Sequence, residues 1–329
     1  MKEPDRSIFR KMLPGLGLGF IALVILMFIG DLRQVLHLLA NFNWWIFPIA
    51  LVFTLFNYVL RFLKFHYYLG QIGAKGIGWK ESLRLFVGGF PLAVTPGKVG
   101  EVLKAVWIQQ KCGLPVARGV SVVVAERISD GMAVLLLSTL GVIAYPRYWP
   151  AFAIVFILLA GIIVVSQVRP AALWLLNLAG RLPLIKRLAG GLREFYEGSY
   201  ALFRPVSTML AVGLGMVSWL GEGVGFYFIL LGLGLSPSIQ LLATAVFILS
   251  FSTIVGAVSA LPGGLGAAEA SIAGMLTLLA GIQPATAAAA TLLIRLATLW
   301  FGVGLGLLVW LVSPELIGLK LENGKTVEG

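Results

Sequence analysis

The sequence predicts an all-α, polytopic helical membrane protein with inverted repeats and two re-entrant or broken helical hairpins. Three observations predict it. First, of 329 residues 59% are hydrophobic and only 12% charged, against about 25% charged in a soluble domain. Second, apolar runs near ~20 residues, the length that crosses hydrocarbon, recur along the whole chain. Third, two apolar runs are broken by Pro-Gly, with charge close behind: Thr95-Pro96-Gly97-Lys98-Val99-Gly100-Glu101-Val102-Leu103-Lys104 and Leu261-Pro262-Gly263-Gly264-Leu265-Gly266-Ala267-Ala268-Glu269. Broken backbone at membrane depth is tolerated only where it is buried in protein or lines a watery cavity.

The chain reads as one integral membrane domain, 1–329, with no long polar block for a soluble catalytic domain. The net charge of +11 falls between apolar runs. That is the positive-inside pattern of a membrane protein and argues against nucleic acid. Cys112 is alone, so neither a disulfide framework nor a cysteine metal site is expected.

Taken in order, Lys2, Arg6, Arg10 and Lys11 precede a first span over 13–30. No small-x-small cleavage site follows it, so it reads as a retained span leaving the cytoplasm. Trp44 and Trp45 anchor a second span to about Leu60, and Arg61, Lys64, Lys75, Lys80 and Arg84 mark a cytoplasmic loop. Residues 83–94 and 97–111 are each short for a span and form a hairpin that opens to the cytoplasm, ended by Gly113-Leu114-Pro115. Spans follow at 116–144 and 150–168, with Tyr145, Tyr148 and Trp149 at the outer interface. The basic segment 169–205 is a cytoplasmic linker with an amphipathic helix on the membrane surface. A span over 206–233 carries Glu222, and Ser236-Pro237 makes an outer turn. Residues 239–260 and 267–280 flank the second break, Gly281-Ile282-Gln283-Pro284 ends that hairpin, and 285–312 is the last span. Both termini are expected in the cytoplasm and the protein in the cell (inner) membrane.

The two breaks superpose. Pro96, Gly97 and Gly100 match Pro262, Gly263 and Gly266 at an offset of 166, and Gly113 and Arg127 match Gly281 and Arg295 at 168. A first repeat over about 44–168 and a second over about 206–313 follow. Three spans lie between the hairpins, so the repeats are expected to be inverted. Paired interrupted segments in inverted halves point to a transporter-like site near the midplane.

A helix beginning inside the membrane presents free amides and the positive end of its dipole, which attract phosphate or carboxylate. Lys98, Lys104, Arg127 and Arg295 add charge, and Arg can grip phosphate in bidentate fashion. The acids Glu101, Glu126, Asp130 and Glu269 have two readings: structural neutralisation of the cations, or proton-linked carboxylates. Glu101 faces Lys98 or Lys104, Glu126, Arg127 and Asp130 cluster on one helix face, and Glu269 has no obvious local partner. The candidate substrate-binding set is therefore Thr95, Pro96, Gly97, Lys98, Gly100, Glu101, Lys104, Glu126, Arg127, Asp130, Pro262, Gly263, Gly264, Gly266, Glu269 and Arg295. His37 and His66 lie at interfacial positions, so no metal is expected, and no catalytic nucleophile, nucleotide loop or cofactor motif is present. The spacing of Gly213, Val217, Gly221 and Gly225 reads as helix packing.

The run Thr95–Glu101, the patch Glu126-Arg127-Ile128-Ser129-Asp130, and Leu261–Gly266 with Glu269 together resemble the transmembrane, flippase-like domain of lysylphosphatidylglycerol synthases, over about residues 15–312. The resemblance implies a polytopic inner-membrane protein that handles lipid across the bilayer. In full-length synthases a cytosolic domain makes aminoacylated phosphatidylglycerol. No such segment is in this sequence, so a stand-alone member without synthase activity is expected. The paired breaks with their cationic neighbours, read with this resemblance, lead to the expectation of a flippase-like transporter of membrane lipids with an anionic headgroup; a partner subunit of a lipid-synthesis enzyme is an alternative. A membrane-embedded lipid-modifying enzyme, using Glu126 and Asp130 as acid and base, is the competing function.

Overall fold

The computed structural model describes residues 14–317 apart from 16, 18, 20, 23, 26, 29, 96–99, 145–148, 171–173 and 175–188. Described residues between 14 and 28 are helical. Helix α1 (Leu32–Ala40) starts at Asp31, whose carboxylate accepts the Arg33 amide at 3.1 Å. Helix α2 (Phe47–Gln71) has Pro48 in its first turn, where a missing N–H leaves no helical bond unmade. Helix α3 (Trp79–Gly88) runs into a 3-10 turn, Phe90–Val94, and α4 (Leu103–Cys112) ends on left-handed Gly113. Then come α5 (Val116–Ala144), α6 (Trp149–Gln167), α7 (Ala189–Leu202) and α8 (Pro205–Gly232). Ser238 caps α9 (Ile239–Val258) through its hydroxyl, which accepts the Leu241 amide at 3.0 Å. A 3-10 turn, Pro262–Gly264, precedes α10 (Ala267–Leu278). Helix α11 (Pro284–Arg295), a π-helical turn (Leu296–Trp300) and α12 (Phe301–Val312) form one rod of 29 residues.

The architecture is all-α. Among the described residues α2, α8, α9 and the α11–α12 rod are long and apolar enough to cross a membrane. Exposed Val52, Val59, Met209, Val258 and Leu311 give these helices apolar outer faces. The rod and α5 have the same length and begin and end 168 residues apart.

Helix α8 lies along α2 and also packs on α5 and α9. Gly221 and Gly225 let α8 meet Phe56 and Phe53 of α2. The other two positions of that expected small-residue stripe do not pack: Gly213 has nothing within 4 Å and Val217 is half exposed. One end of the rod meets the first hairpin. Trp310 donates to the Gly88 carbonyl, Trp107 donates to the Leu316 carbonyl (both 2.8 Å), and Arg84 pairs with Glu315. The other end of the rod follows the second hairpin directly, where Phe42, Leu235, Leu241, Leu279 and Ile282 share a core.

Two expectations need correction. Helix α2 does not stop at Leu60. It continues to Gln71, so Arg61 and Lys64 are helical rather than in a loop, with Lys64 buried and Arg61 partly so. Their charges have an acid to meet inside the protein, as shown below. Nor does the linker helix lie free on a surface. Helix α7 is packed on α5, with Tyr196 and Leu202 buried, Gly198 against Ser121, and Arg118 bonded to Glu194 at 2.6 Å. Arg169 pairs with Glu197 at 3.1 Å and sits over the Tyr200 ring. Linker residues Arg181, Lys186 and Arg187, like Tyr145 and Tyr148 of the expected outer interface, lie outside the described residues.

Candidate functional site: a polar cavity between two broken segments

The second break leaves the α-helical path, and the 3-10 turn that leads into the first break touches it. The turn Phe90–Val94 packs on the turn Pro262–Gly264, and a Cβ at Gly15 would collide with the Val94 carbonyl and come within 3.0 Å of Pro262. In the second break Gly263, Gly264 and Gly266 have φ of 62°, 67° and 85°, a region that side chains other than glycine rarely enter. At Gly264 the fit is also steric, because a Cβ would lie 2.9 Å from the Gly256 Cα on α9.

The free amides expected at each break are partly met from within. The Thr95 hydroxyl donates to the Leu92 carbonyl at 2.6 Å and accepts the Gly100 amide at 2.9 Å. At the second break Glu269 Oε2 accepts the Gly266 amide at 2.7 Å, placing a carboxylate at the positive end of α10. The helix ends at the breaks are therefore not bare. Pro96, Gly97 and Lys98 lie outside the described residues.

Beside the breaks is a cavity of about 160 Å³ whose walls come from both halves of the chain. Glu101, Lys104 and Arg127 line it from the first half, and Gly263 and Arg295 from the second. The charged groups are organised as ion pairs. Arg127 reaches Glu101 at 2.9 Å, and Arg295 reaches Glu269 at 2.5 Å, each pair spanning 26 residues. Arg295 also donates to the Gly263 carbonyl at 3.3 Å, tying the last rod to the second break. The π-helical turn begins just after Arg295, and within it the Thr298 carbonyl accepts the Tyr58 hydroxyl at 2.6 Å. Lys104 lies 3.4 Å from Glu126 and 5.5 Å from the ring centres of Phe65 and Phe86. Asp130 lies 2.5 Å from Lys64 and 3.3 Å from Arg61.

These pairings correct the expected partners. Glu101 meets Arg127 rather than Lys104. Glu126 and Asp130 reach cations on other helices, not Arg127 beside them. Glu269 has a partner, supplied by the following rod. Glu126 and Asp130 are not among the cavity's lining residues, and Pro262 is buried in the break. The cavity also takes Tyr58, Arg61, Trp219, Glu222, Ser252 and Thr253, which the motif reading left out of the site. The guanidinium of Arg61 lies over the Trp219 ring at 5.6 Å.

An apolar groove of about 570 Å³ flanks the second break, between the first helix (Ile21, Ile25) and α10 (Ala270, Ala273, Gly274). Glu269 lies on its wall and pairs with Arg295 on the wall of the polar cavity.

With the geometry in hand, comparison with known proteins decides the family. The family model described as lysylphosphatidylglycerol synthase TM region matches residues 15–306. The chain belongs to this family. A UPF0104 membrane protein of Methanothermobacter thermautotrophicus is 26% identical to this family member over 285 residues, covering 80% of this chain and 82% of its own. The UPF0104 membrane protein MJ1078 of Methanocaldococcus jannaschii is 26% identical over 247 residues, 71% of this chain and 98% of its own. No solved structure matches. The family identifies a lipid-related integral membrane protein, and the matched region includes both breaks and all the ion pairs around the cavity.

Proposed function

We propose that this family member is a flippase-like transporter that moves an anionic phospholipid or glycolipid headgroup between leaflets. One observation carries the reading: a charged cavity and an apolar groove share one broken segment as a wall. A lipid needs that combination, because its headgroup requires polar partners while its acyl chains remain in apolar surroundings. In this reading the headgroup enters beside Lys104, Arg127 and Arg295, and a chain follows the groove along α10.

The repeats support a mechanism. The reading takes 44–168 and 206–313 as inverted halves with the two hairpins re-entrant, 169–205 as the linker between them, and both termini in the cytoplasm. The matching 29-residue helices and the matching ion pairs favour it. Rocking of one half on the other then exposes the cavity to each leaflet in turn. Transport is favoured over lipid chemistry because Glu126 and Asp130, the candidate acid and base, are held in ion pairs away from the cavity wall.

The test is reconstitution of purified protein in liposomes with headgroup-varied fluorescent phospholipids and glycolipids. Transport of an anionic lipid above protein-free vesicles is the expected result. The same lipids, extracted and weighed by mass spectrometry, should be unchanged. A changed mass would replace transport with chemistry, and no movement of any headgroup by folded protein would end the proposal.

A further inference from the structure

The ion pairs around the cavity leave out one acid. Among the described residues Arg61, Lys64, Lys104, Arg127 and Arg295 stand against Glu101, Glu126, Asp130, Glu269 and Glu222. Four of those acids sit in ion pairs. Asp130 serves both Arg61 and Lys64, so the pairs together leave one positive charge unmatched. Glu222 on α8 is the acid that matches it. It is 6% exposed, faces the cavity, and makes no ion pair or hydrogen bond with a described residue. An ionised carboxylate held this way is costly unless surrounding charge compensates it.

The groups facing it come from every element that packs on α8. Helix α2 brings Arg61 and Tyr58, and α5 brings Arg127 with Asp130 behind it. The α11 rod brings Arg295, α9 brings only Ser252 and Thr253, and Trp219 lies one turn back on α8 itself. With Glu222 ionised these charges of the described residues balance. An anionic headgroup then adds one negative charge in surroundings that screen poorly. Protonating any paired acid would break an ion pair, whereas protonating Glu222 breaks none.

We propose that binding of an anionic phosphodiester in this cavity takes up one proton at Glu222, so that headgroup and proton travel together. The step forms one O–H bond on the carboxylate and breaks one in hydronium, which is left as water; no other bond changes. The inference rests on the transport reading above and adds its coupling ion.

The experiment uses the full chain in detergent and dihexanoyl phosphatidylglycerol, whose phosphodiester keeps one negative charge from about pH 5 to 9. Calorimetric titration in buffers of different ionisation heat counts protons taken up per lipid bound. The expected count approaches one at the alkaline end, where affinity weakens about tenfold per pH unit. Glu222→Gln should take up none, and its affinity should be flat with pH. In the unaltered protein an infrared carboxylic-acid band should grow on lipid addition, which reports the same event without a variant. Binding by the unaltered protein with no proton uptake would overturn the proposal, as would Glu222→Gln keeping the original pH dependence. A requirement for sodium in place of the pH dependence would also overturn it. Folded protein that binds no phosphodiester would overturn the transport reading itself, a result distinct from binding without a proton.

Discussion

Arg127 and Arg295 each reach back 26 residues to a carboxylate that follows a break, Glu101 in one half and Glu269 in the other. A buried ion pair contributes little net stability, because desolvation offsets the attraction, yet removing one partner strands the other. Glu269→Ala should therefore lower stability by about 3–5 kcal/mol. The double change Glu269→Leu with Arg295→Met should be less damaging than the single one, since no charge is left stranded. Thermal unfolding in detergent measures both, and a double variant worse than Glu269→Ala would show that the pair is net stabilising. Asp130→Asn should be more harmful than Glu269→Gln, because it leaves Arg61 and a fully buried Lys64 without their shared acid. The same comparison of unfolding temperatures tests that order. These partners were only half legible. Glu101 and Glu269 stand 168 apart, the offset of the two arginines, but the prolines and glycines of the breaks align at 166 and drew attention to the other register. Nothing local tied Asp130 to Lys64, 66 residues away. Counting basic residues as loop markers then put Lys64 outside the membrane helix.

The second break depends on backbone that only glycine adopts without strain. Gly264→Ala meets two obstacles, a φ of 67° and a Cβ position 2.9 Å from the Gly256 Cα. It should destabilise by about 1–3 kcal/mol. Gly274→Ala is the control: it lies in α10 with no heavy atom within 4 Å of the new methyl and should stabilise by about 0.4–1 kcal/mol. Unfolding temperatures of the two variants should move in opposite directions. Opposite shifts are specific to a true break, because a continuous helix would accept alanine at both positions. The places where helices stop were the most legible part of the fold. Pro-Gly cannot continue a helix, and Gly113 and Gly281 take left-handed turns where the expected hairpins end. How far a helix extends was less legible. Helix α2 passes its basic residues because Asp130 compensates them from another helix, a tertiary fact with no local sign.

Taken as a whole, the molecule has two unlike ends, set by a rod of 29 residues that is roughly 40 Å long. At one end Arg84, Lys111, Glu81 and Glu315 gather around the open side of the first hairpin. At the other, the turn holding Ser236 and the loop holding Gly281 close the second hairpin, and Trp44 and Trp45 are exposed nearby at the start of α2. Inverted halves require those two ends to face opposite sides of the membrane. Single cysteines test this directly. In a Cys112→Ala background, Lys111→Cys and Ser236→Cys each place a thiol at an exposed position. A maleimide that cannot cross membranes, added to intact cells, should label position 236 and spare position 111. Opening the cells should then expose position 111. Labelling of both positions from outside, or of neither, would mean that the hairpins open to the same side. The two halves could not then exchange roles by rocking, and the alternating-access mechanism would fail even if lipid still moved.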